Sequence, residues 1–212
     1  RHEDRHDWGE LMATVDWPSG RAFAPTGVKI GASTPKSAWS AFLTGQTQSI
    51  SHLADRLMCT VSLPPCTREE AGQRESFFMS LASKGDWVRL GMKNRPVPFG
   101  TLRGTPTAAA SATAGAYTLS VQTTAGATMI GGDALGINGQ LLLTAYAGAT
   151  ANGGGVMSLP LVLPLRAAVS SAAALTWNSP TATWQLAADS IDFGYSSYSL
   201  QDAMQIVLRE VY

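Results

Sequence analysis

The chain has 212 residues, of which 45% are hydrophobic and only 14% charged, and its formal net charge is zero. That length suits one large domain or two small ones. The neutral balance supplies no general attraction to nucleic acid or to an anionic membrane, which argues against a DNA-coating role. The charge missing relative to an average chain is replaced by Ala, Gly, Ser and Thr, a composition that suits β structure with many turns.

The opening run Arg1-His2-Glu3-Asp4-Arg5-His6-Asp7 is strongly polar, unlike a signal peptide. Met12 opens an alternative start. Residues 1–37 read as an N-terminal arm with the first strands. Gln46 to Ser51 and Leu57 to Leu63 read as strands. In the second, Leu57, Cys59, Val61 and Leu63 alternate with Met58, Thr60 and Ser62, the period of a half-buried strand, and Pro64-Pro65 stops it.

A helix over 68–84 has the clearest signals. Thr67 as N-cap with Glu70 three residues on forms a capping box. Ala71, Phe78, Leu81 and Ala82, with Phe77 beside them, give an apolar stripe. Lys84 lies in the last turn, and Gly85 suits a left-handed C-cap. A strand over Asp86 to Met92 follows, with the rigid exit Asn94-Arg95-Pro96-Val97-Pro98.

From Arg103 to Ala188 only Arg103, Asp133 and Arg166 carry charge. This shift marks a distinct module over 103–179. Tyr117 to Gln122 reads as a strand. Asp133 to Ile137 and Gln140 to Ala145 flank Asn138-Gly139, a tight hairpin signal. Thr150 to Gly155 reads as a loop and Val156 to Leu163 as a strand that Pro160 marks as an edge or bulge. Leu175 to Trp177 resumes strand character. Short strands with Gly-rich turns suggest a small OB-like or SH3-like barrel. The chain returns through Thr183 to Leu186 and one run, Ser199 to Val211, which should pair into the N-terminal sheet. The expected fold is thus mainly β with one helix (α+β). A β-sandwich-like domain of residues 38–102 and 180–212 is completed by the C-terminal strands and carries an inserted OB-like barrel.

Chemical motifs are few. No Gly-x-Ser-x-Gly elbow, phosphate loop, His-Glu-x-x-His or Cys-x-x-Cys occurs, so no catalytic, cofactor-binding or metal residue is assigned and the chain is read as a non-enzyme. Gly131-Gly132-Asp133 and Gly153-Gly154-Gly155 precede no helix and read as turns. His2 and His6, with Asp4 or Asp7, have the spacing of metal ligands on a helix, but lie in a polar terminus where helices fray. His52 has no partner in sequence. Asp189 and Asp192 form a spaced acid pair better read as a solvated turn. Cys59 and Cys66 are too few for a disulfide framework and read as free thiols. The tryptophans Trp8, Trp17, Trp39, Trp87, Trp177 and Trp184 raise carbohydrate stacking against plain core packing, and packing is the commoner role of large aromatics.

Several runs together carry a resemblance. They are Trp17-Pro18-Ser19-Gly20, Leu43-Thr44-Gly45-Gln46-Thr47-Gln48-Ser49, and Ala54 to Val61 before Leu63-Pro64-Pro65. In the middle module they are Gly132 to Leu141, Ala149 to Gly155 and Leu163 to Ala168, and after it Leu175-Thr176-Trp177 and Trp184 to Ala187. Across roughly 38–212 the chain resembles minor tail and distal-tail (tail-tip hub or baseplate) proteins of tailed bacteriophages. The resemblance implies an N-terminal β-sandwich with a helix that makes a homo-oligomeric ring, typically a hexamer, and a peripheral OB-like domain. It also implies a structural virion protein, assembled in the bacterial cytoplasm. Such a ring joins the tail tube or nozzle to hub, tip or fibre proteins, with no cofactor, no nucleic-acid specificity and no membrane insertion. Residues 1–37 depart from the family pattern. A ring of cyclic symmetry needs head-to-tail contacts, and the terminal strand and the polar arm, residues 1–11, are the expected patches. The alternative is a glycan-binding accessory module of the tail, and a cell-wall enzyme stands third.

Overall fold

The structure, a computed structural model, describes residues 12–40, 42, 46–51, 55–93, 95–188, 191–196 and 200–212. In chain order, β1 (Thr14–Asp16) is followed by a 3-10 turn at Arg21–Phe23, β2 (Gly27–Ser33), β3 (Lys36–Ser40) and β4 (Thr47–Ser51). Next come β5 (Arg56–Leu63), β6 (Cys66–Thr67), α1 (Arg68–Lys84) and β7 (Trp87–Gly91). The middle stretch holds β8 (Thr107–Ala108), β9 (Thr118–Gln122), β10 (Thr128–Met129), β11 (Ala134–Ile137), β12 (Gln140–Leu143), β13 (Ala149–Thr150) and β14 (Val156–Pro160). The return is β15 (Thr181–Leu186), β16 (Leu200–Gln201) and β17 (Met204–Glu210). The chain is therefore mainly β, with one α-helix among the described residues, as its composition implies. No helix among the described residues is long and apolar enough to cross a membrane.

Two compact units divide the described residues. The first takes those up to Lys29, Cys59–Leu90 and Thr183–Val211; the second takes Ile30–Met58, Gly91–Ala182 and Tyr212. The main sheet has the order β1-β7-β15-β17-β5-β2. The C-terminal strand β17 pairs antiparallel with β15, Trp184 opposite Glu210, and lies inside the sheet. Its place there bears out the expectation that the terminal run pairs into the sheet of the N-terminal strands; among the described residues the outer strands of that sheet are β1 and β2. The alternation in β5 matches the buried set Leu57, Cys59, Val61 and Leu63. Buried Trp184 donates its indole N–H to Leu90 O at 2.9 Å, so its one polar group is satisfied in the core.

The helix starts and stops where its sequence says. Thr67 N–H donates to Glu70 Oε2 at 3.0 Å, and Glu70 N–H donates to Thr67 Oγ1 at 3.4 Å, which completes the capping box. Gly85 ends it with φ 67°, a conformation that costs glycine little. Its buried face is Ala71, Arg74, Phe78 and Leu81, whereas Ala82 is exposed. Phe77 and Phe78 pack with Trp17 and Phe23 in an aromatic cluster, ring centroids 5.2–6.5 Å apart.

Within the second unit the short strands form sheets β14-β9-β8, β11-β12 and β10-β13, and β3 pairs antiparallel with β4. One apolar cluster that includes Leu119, Val121, Leu135, Leu142, Met157 and Leu159 is built from the strands between β8 and β14. The β11–β12 hairpin turns through Asn138 (φ 48°) and Gly139 (φ 77°), the double positive φ of a tight hairpin turn. Pro160 ends β14, the edge strand of its sheet, where its missing N–H leaves no ladder bond unmade. Two strand expectations fail. Leu175 to Trp177 forms a single bridge, Thr176 to Gly136, and no ladder; Ser179 beyond it takes positive φ. The run 199–211 breaks at Asp202-Ala203: Asp202 N–H leaves the ladder for Gly194 O, so β16 pairs with β6 while β17 joins the main sheet.

Candidate functional site

His2, Asp4, His6, Asp7, Trp8, His52 and Asp189 lie outside the described residues, and Asp192 is exposed. Among the described residues no group of three or more His, Cys, Asp or Glu is placed to hold a metal ion. Both cysteines are free and buried. Burial pushes the Cys59 thiol up to about 11. The Cys66 thiol, also raised chiefly by burial, donates to Gln201 Oε1 at 3.4 Å. A raised pKa keeps a thiol protonated and inert. Gly153 to Gly155 form a loop, with Asn152 Oδ1 accepting from the N–H groups of Gly154 (2.9 Å) and Val156 (3.0 Å).

The three charged side chains of the middle module brace the backbone. Asp133 is buried, and its carboxylate accepts from the N–H groups of Phe99 (2.8 Å), Gly100 (3.0 Å) and Ile130 (2.8 Å). Arg103 donates to Leu102 O (2.6 Å), Gly100 O (2.9 Å) and Pro98 O (3.3 Å), and its guanidinium lies 5.1 Å from the centroid of the Trp177 ring. Trp177 in turn donates its indole N–H to Gly104 O at 2.7 Å. Its ring is thus engaged by Arg103. Arg166 donates to Leu141 O at 2.6 Å. In the first unit the fully buried Arg74 does similar work, donating to Ala22 O (2.6 and 3.0 Å), Pro64 O (3.0 Å) and Gln201 Oε1 (3.1 Å). Sequence reasoning passed over Arg74 because it is charged. Its spacing three after Ala71 and four before Phe78 was the signal that placed it on the buried face.

Two features face outward. The first is the β3–β4 hairpin. Ser37, Ala38, Trp39, Ser40, Thr47 and Gln48 are all exposed, so residues from both faces of the ribbon meet solvent. Trp39 is 68% exposed, and Phe42, in the connection, is fully exposed. An isolated two-stranded hairpin is at best marginally stable in water, and this one carries two uncovered large aromatics.

The second is a cavity of about 340 Å³ in the second unit, lined in part by Met92, Arg95, Leu143, Thr144, Tyr146 and Val162. Arg95 Nη1 donates to Gly132 O at 2.8 Å. Gly132 takes φ 88°, a conformation that favours glycine, and a Cβ there would push the Arg95 guanidinium aside; a Cβ on Gly131 would come within 2.8 Å of the Tyr146 backbone. The two glycines thus let the 130–133 turn seat both neighbours. Thr144 has its backbone paired through Asp133 O (2.9 Å) and Gly132 N–H (2.8 Å), but its buried Oγ1 has no hydrogen-bond partner among the described residues. Tyr146 is fully exposed at the rim.

Comparison with protein-family models and with curated proteins found no match to this chain.

Proposed function

We propose that the chain is a structural virion protein of a bacteriophage tail tip. Copies of it form a ring, of six in the family it resembles, that joins tail tube or nozzle to distal tip or fibre proteins. The peripheral module is read as OB-like. The resemblance suggests the virion role, and the observation that carries assembly is the β3–β4 hairpin. Its two exposed faces, with Trp39 and Phe42, give a ribbon that gains stability only when a partner covers it. Among the described residues β1 and β2 are the outer strands of the main sheet, a position suited to strand pairing between copies.

Native mass measurement tests assembly. The account expects a particle six times the 22.3 kDa of this chain. It also expects that Trp39→Ser with Phe42→Ser releases single chains while leaving the thermal midpoint of the single chain unchanged, because both side chains are exposed. Single chains at every concentration, or rings that ignore the double substitution, would count against the hairpin as the assembly element.

A further inference from the structure

The main sheet buries one face and opens the other. Along β17, Ile206, Leu208 and Glu210 are buried, while Gln205, Val207 and Arg209 are exposed. Along β7, Val88 and Leu90 are buried and Arg89 is exposed. Thr14 pairs with Trp87, and Gln185 with Arg209. Gly91, at the end of β7, lies against Thr181, at the start of β15, so these neighbours run antiparallel and Trp87 comes beside Gln185. Thr14, Trp87, Gln185 and Arg209 therefore form one row across four strands. On the opposite outer strand, a Cβ on Gly27 would meet the side chain of Ser62, which alternates with buried Val61 and Leu63. Lys29, two residues on, thus shares the open face. Asp16 answers Arg89 at 3.2 Å, but Arg209 and Lys29, both exposed, form no ion pair among the described residues.

The chain ahead of this sheet carries the complementary charge. Residues 1–11, outside the described residues, hold four carboxylates, Glu3, Asp4, Asp7 and Glu10, against the two guanidiniums of Arg1 and Arg5. They enter the sheet at its outer strand β1, where Ala13 N–H is taken by the Asp86 carboxylate at 2.9 Å. The reach also fits. Strands lie about 4.8 Å apart, so Arg209 is roughly 14 Å from Thr14 along the row, and β2 roughly 24 Å across the sheet. At about 3.3 Å per residue, Glu10 lies up to roughly 13 Å and Asp7 up to roughly 23 Å from Thr14. We infer that residues 1–11 fold back across the open face of their own main sheet, an acidic strap whose Glu10 meets Arg209 and whose Asp7 meets Lys29. A strap held this way covers its own chain and not a neighbour. The inference does not rest on the tail-tip reading.

Carbodiimide cross-linking of the intact chain, read by mass spectrometry, tests it, because the reagent joins a carboxylate to an amine only in direct contact. At low ionic strength Lys29 should couple to Asp7 or to an acid beside it in the arm, and the coupled chain should still run as a single chain on a denaturing gel. Salt shortens the range of such attraction from about 10 Å at 0.1 M to about 3 Å at 1 M, so coupling should fall at high salt. Arg209→Glu should lower the Lys29 coupling about three- to fivefold, the weight of one exposed ion pair. Adding Glu10→Arg to that variant should restore it, with the fold checked by circular dichroism. No coupling of Lys29 to the arm, or coupling mainly to Lys84 at the end of α1, would place the arm off this face. Coupling found only in dimers and larger species would assign the arm to a neighbouring copy. Any of these results, or a yield indifferent to Arg209→Glu in a folded variant, overturns the inference. The cross-link map of the unaltered chain stands even if a variant fails to fold.

Discussion

Asp133 holds three backbone N–H groups from two segments, 99–100 and 130. Removing its carboxylate strands those donors in a buried site, where each unsatisfied group costs roughly 1–3 kcal/mol. Asp133→Ala should therefore lower unfolding free energy by about 3 kcal/mol or more, measured by urea denaturation of the intact chain; a loss comparable to an average surface substitution would contradict the bracing role. The scarcity of charge between 103 and 188 is plain in the sequence, but its meaning is not. Sequence shows that Arg103, Asp133 and Arg166 are few. Only the fold shows that Asp133 and Arg166 reach backbone distant in chain order, as Arg166 reaches Leu141 O, while Arg103 braces the nearby residues Pro98, Gly100 and Leu102. Arg74 teaches the same lesson from the other side: a charged residue at a core-facing helical position is legible by spacing, yet its oxygens come from residues 22, 64 and 201. The candidate cavity was not legible at all. Its parts, Arg95, Thr144 and Tyr146, lie on separate segments, and no local pattern links them.

At the scale of elements, local signals decided what could be read. The helix was legible end to end because caps act within four residues. Thr67→Ala should cost about 1 kcal/mol of stability, seen in the thermal midpoint. The Thr67 backbone N–H and hydroxyl on Glu70 hold its carboxyl below the ordinary 4.5. A carboxyl lowered in the folded state adds stability above its unfolded pKa, and that stability is lost as pH falls through the folded value. Stability should thus decline on acidification below about 4.5, and Glu70→Gln should flatten that part of the profile; an unchanged profile would show that the capping box is not the source. The strands were less legible. Alternation gave β5, and Asn138-Gly139 gave the β11–β12 turn, since both are local. The long run 199–211 was read as one strand because its pattern continues across Asp202; only the two different partners, β6 and the main sheet, divide it. The β3 half of the hairpin, 36–40, carries no strand period in the sequence because Ser37, Ala38, Trp39 and Ser40 are all exposed, so no alternation of buried and exposed residues is written there.

For the whole molecule, the interrupted chain order of the two units explains the composition shift. Most of the low-charge stretch, 103–182 of 103–188, lies within Gly91–Ala182, the largest part of the second unit, while β15 and β17 carry the chain back to the main sheet. That return was legible in outline, because a C-terminal run with strand period must pair somewhere. The particular neighbours were not, since strand order is set by long-range packing. The outward features, the hairpin and the outer strands of the main sheet, are what a ring subunit needs and what an isolated globular chain avoids. The most direct measurement is immunogold labelling of intact phage particles with antibody to this chain. The account predicts gold confined to the tail tip. Particles without label, with the protein free in the lysate, would contradict the structural role itself.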